Sequence, residues 1–489
     1  MAASDNQDNI INYAGDFRIK TVNILSYRKA EGSEKAFRVN LIPQTMAINF
    51  VEDVLSPCVN GSIDVADGQD FRTLLPITGN EKLELHLFTP GQSELKYIEG
   101  ETDCLSVYKV DKIRISGGTG RQQIYRVHFT SREAILNSTR RISKAFAGPV
   151  ENAVYEIMHG EVNGLDTRKA LYLEPTATNT KIVVPHMKPF RTIKLFADNA
   201  ISAKYSNAGY LFYETTQGFN FRSFESLMAM SGTTARPVTE AYAIQPASVR
   251  NDKGDANVIQ DLQSPDSYSF ENVANTLEEL NHGLYGNRLV THDIYNKKIQ
   301  TFDYNYHEEF GNYFHTEHDQ GNRSEQKFMK PLTFLEESNK TLSDFPMAKL
   351  MNVVDTKKVH NDYDSVPPEL RLPNKISQRA QMANFHLVMT VPGQTRLNCG
   401  SMISFALPNQ RPIPSDSPQN LNPYYSGRYL VLSLKHKFDV VSQKHTMNLR
   451  CVKDATATEL PQGLDNITNL TGKVEAISVY DKDERDIPS

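Results

Sequence analysis

The residues best equipped for chemistry lie together at His307, Glu308, Glu309, His315 and His318. Imidazole and carboxylate side chains at close spacing can hold zinc or a similar ion. The pattern His307-Glu308-Glu309-Phe310-Gly311 is not HExxH, however, and Gly311 and Asn312 argue against one continuous helix through it. His315 and His318 would share a face only if a helix ran there. A solvated loop or a subunit contact accounts for the cluster, and no metal is expected. The four cysteines (Cys58, Cys104, Cys399, Cys451) are widely spaced and form no CxxC pair, so neither a disulfide framework nor a structural zinc site is expected. None has the neighbouring base that a cysteine nucleophile needs, and no GxSxG turn offers a serine. Glu52, Asp53 and Asp64 are candidate acids, but sequence alone does not set two carboxylates at a glycosidase separation. Glu52 and Asp53 follow a strand at 48–51 and read as a solvated turn. The glycines of Ser116-Gly117-Gly118-Thr119-Gly120-Arg121 precede no Lys-Ser/Thr and open no helix, so they read as a hairpin turn and not as a phosphate loop. No catalytic, cofactor-binding or metal site is assigned, and the chain is expected not to be an enzyme.

The elements around these residues are mostly strands. Apolar residues recur near every second position from Phe17 to Ile24, with one slip that a bulge would explain. Short strands follow at 38–42, 48–51, 62–65 and 82–88, and a long hairpin spans 107–129. Closely spaced strands with no helix between them favour a small antiparallel barrel or sandwich. The period then changes. Thr130 and Glu133 are spaced as a capping box, and Ile135, Leu136, Ile142 and Phe146 predict a helix up to Gly148-Pro149. Further helices are predicted at 150–158 and 192–205, after a short strand at 181–184. Two strands surround a tight turn over 209–222, and 233–265 reads as a long polar connection. Beyond it lie strands at 287–293 and 299–306 and a helix at 344–351, before strands resume at 381–390, 401–407, 428–434 and 446–453. Tyr285, Tyr295, Tyr304, Tyr306 and Tyr313, beside Phe302, Phe310 and Phe314, form an aromatic cluster that suits an interface or a packed core. The segments 107–131 and 428–454 echo one another as strand, turn and alternating strand. Chance produces such echoes too; taken as real, this one means two similar β domains with helical material between them.

The composition bounds the rest. With 489 residues, two to four domains are expected. Fifty-three basic against 58 acidic residues give a net charge of −5, which provides no excess for a dedicated nucleic-acid binder. No apolar run approaches the ~18–20 residues that cross a bilayer, and the polar start MAASDNQDNIINYAGDF lacks a signal-peptide pattern. A soluble, cytosol-made protein is therefore expected.

Four segments, in order, resemble the central baseplate hub protein of contractile-tailed bacteriophages, the T-even-type hub, whose fold recurs in the hub half of type VI secretion spike proteins. They are Asp67-Gly68 through Leu75-Pro76-Ile77-Thr78-Gly79-Asn80-Glu81-Lys82-Leu83, and Phe129-Thr130-Ser131-Arg132-Glu133 running to Ser143-Lys144-Ala145-Phe146. The third and fullest is Gly209-Tyr210-Leu211-Phe212-Tyr213-Glu214-Thr215-Thr216-Gln217-Gly218-Phe219-Asn220-Phe221-Arg222-Ser223. The fourth is His292-Asp293-Ile294-Tyr295-Asn296-Lys297-Lys298, leading into Asp303-Tyr304-Asn305-Tyr306. The resemblance implies a mainly β fold with an α+β insertion: two tail-tube-like antiparallel β barrels and an intervening helical/mixed domain. On this reading residues 1–15 are an N-terminal arm and 16–131 the first barrel. Residues 132–208 form the helical/mixed domain, continued by the insertion 233–378. Residues 209–232 with 379–456 form the second barrel, and 457–489 a C-terminal tail.

The resemblance further implies a homotrimer whose six barrels match a sixfold tail tube above and a threefold spike below, with no enzymatic activity in the hub itself. The implied partners are other copies of the chain, a tail tube or tube-initiating protein, and a central spike protein, with tape-measure and baseplate wedge proteins as further contacts. DNA would meet the chain only in transit through the channel, and no membrane is implied. The implied location is the virion tail baseplate, after assembly in the host cytoplasm. Each contact would bury more than about 1,000 Å², with the strands at 17–24 and 428–434 as contributors. The alternatives are another tail-tube-like component, such as a tube terminator or tail-tip protein, or a carbohydrate-degrading virion enzyme. A metal-dependent hydrolase on His307, His315 and His318 ranks below both.

Overall fold

In the computed structural model, the described residues are 10–29, 36–71, 75–100, 103–116, 122–162, 164–177, 179–205, 207–229, 237–244, 258–294, 296–317, 327–328, 340–354, 367–383, 385–409 and 421–456. The expectations for residues 1–9, the glycine turn at 117–121, Tyr295, His318 and the tail 457–489 lie outside them.

Strict alternation builds the first sheet. Its strands are β1 (Arg18–Lys29), β2 (Ala36–Asn40), β3 (Thr45–Asp53), β4 (Asn60–Asp67), β5 (Lys82–Phe88), β6 (Glu94–Tyr97), β7 (Leu105–Ser116) and β8 (Gln122–Ser131). They pair antiparallel in the order β3-β4-β8-β7-β5-β1-β2, with β6 branching from β5. The slip read in β1 is real, since its register on β5 shifts between Ile19 and Thr21. Inward positions such as Val22, Ile48, Phe50, Leu85, Val127 and Phe129 close one apolar core.

The middle region follows. It contains α1 (Arg132–Thr139), β9 (Ile142–Pro149), α2 (Val150–His159), β10 (Leu171–Leu173), β11 (Asn179–Met187), α3 (Pro189–Asn199), the hairpin β12 (Tyr210–Thr215) and β13 (Gly218–Ser223), and α4 (Phe224–Met228). Both long helices bury an i, i+3, i+4, i+7, i+8 stripe: Val150, Ala153, Val154, Ile157 and Met158 in α2, and Pro189, Thr192, Ile193, Phe196 and Ala197 in α3. Pro189 at the first turn of α3 lacks only an N–H that would have been unpaired anyway. The single helix expected over 130–146 is instead α1 followed by β9, which pairs with β11. Ile142 and Phe146, four apart, share a face in a strand as well as in a helix, so the spacing did not discriminate. Nor is there a capping box, because Glu133 is committed elsewhere and Ser131 is the N-cap.

The insertion contributes β14 (Val238–Ala243), α5 (Val258–Leu262), β15 (Ser267–Glu271), α6 (Thr276–Asn281), β16 (Gly286–Asp293), β17 (Lys298–Asn305), α7 (Tyr306–Glu309), the short β18 (Lys327–Phe328), β19 (Ala348–Val354) and α8 (Leu372–Met382). The chain then enters β20 (His386–Pro392), β21 (Met402–Ala406), β22 (Gly427–Asp439), β23 (Lys444–Val452) and β24 (Ala455–Thr456). The helix expected at 344–351 is replaced by β19, parallel to β16. Pro346 bars a helix through that segment. The strand expected at 381–390 starts only at His386, because 372–382 is helical.

The second sheet runs β15-β20-β23-β22, with β21 on β22 and β14 on β21. Its core gathers Tyr242, Leu387, Phe405, Tyr429, Val431, Leu434 and Leu449. The hairpin β12–β13, grouped with this barrel from sequence, belongs to a separate three-stranded sheet with β10, because its Phe219 and Phe221 pack against α2 and α3. Conversely β14 and β15, assigned from sequence to the insertion 233–378, are walls of the second sheet. The β14–β21 pair is parallel and not antiparallel, as expected for strands joined by a long excursion. The molecule is thus mainly β, with two barrel-like halves and mixed α/β material between them. Pairing of β22 with β3 joins the halves into one continuous fourteen-stranded sheet.

Candidate assembly seam

The β3–β22 seam runs from Ser433 opposite Asp53 to Asp439 opposite Ala47. Along one face it aligns Leu434 with Glu52, His436 with Phe50 and Phe438 with Ile48. Glu52 is fully buried, not in the solvated turn that sequence suggested. Its period-two relation to Ile48 and Phe50 places it on the inward face. One carboxylate oxygen accepts the Thr216 N–H at 2.8 Å and the other the Cys399 N–H at 2.9 Å. A first-barrel residue therefore holds both the middle hairpin and a loop of the second barrel. Burial, which outweighs these two bonds, raises its pKa to about 7, and the neighbouring Glu214 charge adds to the rise.

Beside it lies a buried triad. Lys169 Nζ donates to Glu133 at 2.8 Å and to Glu214 at 2.7 Å, one ammonium between two carboxylates. Glu214 also accepts the Val59 N–H at 3.0 Å and the Ser131 hydroxyl at 2.5 Å, and Glu133 accepts the Thr167 hydroxyl at 2.6 Å. Burial alone would lower the Lys169 pKa, but the two carboxylates raise it. Burial pushes the Glu214 carboxyl up. The triad fastens α1, the 165–170 loop and the hairpin to the ends of β4 and β8. Across the seam, His436 Nδ1 and His445 Nε2 lie 3.0 Å apart among Phe17, Phe50 and Phe438. Burial lowers the His436 pKa to about 3 and that of His445 well below its usual value.

The residues singled out from sequence occupy other places. Asp53 accepts the Leu55 N–H at 2.7 Å and shapes the β3–β4 turn. Asp64 makes a two-pronged pair with Arg126, opposite it on β8, at 2.5 and 2.7 Å. His307 Nδ1 contacts the Ser343 hydroxyl, and Glu309 accepts from Asn312 at 2.8 Å. His315 spends both ring nitrogens inside the protein, on Asp454 at 2.7 Å and on the Phe310 carbonyl at 2.9 Å, with its ring stacked on Phe310 at 3.7 Å. Among the described residues no three His, Cys, Asp or Glu side chains are grouped to hold a metal. All four cysteines are buried free thiols. In the aromatic cluster Tyr285, Tyr306 and Phe310 are core residues, while Phe302, Tyr304, Tyr313 and Phe314 are half-buried. A strand edge at 428–434 is also excluded, because β22 is paired with β23 on one side and with β21 and then β3 on the other. Among the described residues no helix is long and apolar enough to cross a membrane. Sequence reading missed Lys169, Glu214, His436 and His445. For Glu214 the alternation of β12 gave a usable signal, since it continues the inward face of Phe212 on the hairpin; for Lys169 there was none.

No family model matches the chain, and no curated protein does. Solved structures do share its course. A tail protein from Neisseria meningitidis MC58 is 10% identical, with a TM-score of 0.48 over 90% of this chain and 97% of its own. The 43 kDa tail protein of prophage MuSo2 from Shewanella oneidensis is 9% identical, with a TM-score of 0.46 over 89% of this chain and 98% of its own. A chain of the Francisella PdpA-VgrG complex is 10% identical, with a TM-score of 0.42 over 91% of this chain and 53% of its own.

Proposed function

We propose that the chain is a non-catalytic baseplate hub of a contractile phage tail: a homotrimer that joins the sixfold tail tube to the threefold central spike around the DNA channel. The carrying observation is the doubled barrel within one chain, fused edge to edge through β3 and β22. Three copies present six barrel-like units, so one ring can meet sixfold and threefold neighbours together. The ordered motifs given above point the same way. The continuous sheet is open at both ends, where β2 pairs only with β1 and β15 only with β20 among the described residues. Head-to-tail contact of such ends builds a closed ring when the rotation is threefold. The exposed Phe37 on β2 and Tyr27 on β1 provide apolar surface at one end. The acids considered for catalysis are engaged in structural pairs, which supports a role without turnover. Partners on this reading are a tail tube or tube-initiating protein, the spike, and the tape-measure and wedge proteins.

Native mass measurement of the chain, alone and with its candidate spike, tests the reading. A species near three times 55.2 kDa is expected in at least one sample. Phe37→Asp should shift it toward monomer without altering the circular dichroism. A monomer in both samples would sink the trimer and favour another tail-tube-like component.

A further inference from the structure

A cleft of about 210 Å³ opens where the β3–β4 turn of the first barrel meets α3, the β12–β13 hairpin and α8. Its floor is apolar: the Phe190 and Phe212 rings lie tilted together, centroids 5.8 Å apart, and Phe212 stacks on Phe219 at 5.6 Å. Leu55, 67% exposed, stands at the lip. The rim is basic, with Lys194, Lys375 and Arg379 against a single acid, Asp198. That acid is already taken, because Lys375 Nζ pairs with its carboxylate, and Arg371 donates to its backbone carbonyl at 2.8 Å. Lys194 and Arg379 are exposed and make no ion pair among the described residues. A chain of net charge −5 thus concentrates uncompensated cations around an aromatic floor.

We propose that this cleft is a docking socket for an acidic peptide segment of a partner protein, which seats one apolar side chain on Phe190 and Phe212 and sets carboxylates against Lys194 and Arg379. Size selects the occupant. Pockets for small molecules usually span roughly 300–1,000 Å³, and this one holds one or two side chains. Charge selects it further: arginine meets carboxylates in a planar two-pronged geometry, and aromatic residues and arginine are both enriched at protein interfaces. Nucleic acid fits less well, because its binding sites track a charged backbone along a groove and here the cations ring a single pit. The socket lies within one chain, so the inference stands whether or not the trimer forms.

The test uses the full chain and fluorescence anisotropy of fluorescein-labelled peptides. The probe is Asp-Glu-Leu-Phe-Asp-Glu, with Asp-Glu-Ala-Ala-Asp-Glu and Lys-Lys-Leu-Phe-Lys-Lys as controls. The probe should bind saturably, and both controls should bind at least about tenfold more weakly. Lys194→Glu with Arg379→Glu should weaken the probe about tenfold or more, mainly through loss of charge complementarity. The same pair should strengthen the lysine peptide. Both side chains are exposed and make no ion pair among the described residues, and circular dichroism verifies folding; Leu55→Asp at the lip provides a second, independent loss. Equal affinity for the probe in wild type and the charge-reversed variant would overturn the proposal. So would tight binding of the Ala-Ala peptide, or displacement of the probe by an equal concentration of hexathymidylate.

Discussion

The two barrel-like halves reach similar cores by different routes. The first rests on local hairpins, β3 with β4, β7 with β8 and β5 with β6, each through a short connection, tied together by the longer ladders β4–β8 and β1–β5. The second is assembled from distant pieces. Its central pair β22–β23 is a hairpin, but its outer walls β14 and β15 come from residues 238–271 and meet partners beyond residue 386. The middle material is attached differently to each half. Toward the first barrel the fastening is the charged triad of Lys169, Glu133 and Glu214. Toward the second it is apolar, with Tyr213, Phe224, Leu227 and Met228 packed with Met402, Leu430, Leu432 and Val452, while that half's own outer wall is held by rings, Phe270 of β15 against Phe385, Phe405 and Tyr425. Local hairpins let the first half order early, whereas non-local pairing imposes loop-closure entropy on the second. The contrast therefore predicts that the two halves can be weakened separately.

The strongest way to break that contrast is Lys169→Met. It leaves two carboxylates buried without their cation, and such a loss costs about 3–5 kcal/mol. Chemical denaturation should show the loss, and amide exchange should localise it to Val59, Ser131 and the β4 and β8 ends, while β20 and β23 stay protected. Equal deprotection of both halves would mean a single cooperative unit. A smaller effect is expected from Phe270→Ala. A half-buried ring should cost about 2 kcal/mol, below the ~3–5 kcal/mol of a fully buried one. Exchange should rise in β15 and β20 and leave β1 to β8 unchanged, and rise in the first half would dissolve the distinction.

The same contrast decides what could be read from sequence. Most of the first half was legible because its strands alternate cleanly, as in Leu83, Leu85 and Leu87 of β5, although the short β6 was missed. In the second half β20 to β23 were legible, but β14 and β15 were not. β15 (SYSFE) is almost entirely exposed, so it has little apolar pattern and is identified only by a partner more than a hundred residues away. The segment 142–149 failed for another reason, since a four-residue spacing satisfies both periods. At the seam, Glu52 was in view as a candidate acid but was placed in solvent. Its alternation with Ile48 and Phe50 was the overlooked signal. Lys169 lies in a loop and acquires its role wholly from tertiary contact, which no local period encodes.

The smallest expected effect is the pH dependence of the intact seam, where buried groups of opposite sense partly cancel. Glu52, from the first half, has its pKa raised by burial to about 7. The folded state holds that proton more tightly, so the Glu52 contribution is complete below the unfolded value near 4.5 and is lost as pH rises toward 7. His436, from the second half, is lowered by burial to about 3. Its unfolded form binds the proton more tightly, so its contribution is lost as pH falls from 6.5 toward 3. Between about pH 4.5 and 6.5 the two slopes oppose, each at most about 1.4 kcal/mol per pH unit. These two slopes largely cancel, and His445, lowered by burial in the same sense as His436, leaves a shallow net climb with pH of at most about 1.4 kcal/mol per unit. Denaturation midpoints of variants separate the two. Glu52→Gln should steepen that climb across this window, and His436→Phe should flatten it. A wild-type slope left unchanged by both substitutions would show that neither side of the seam titrates as its burial demands.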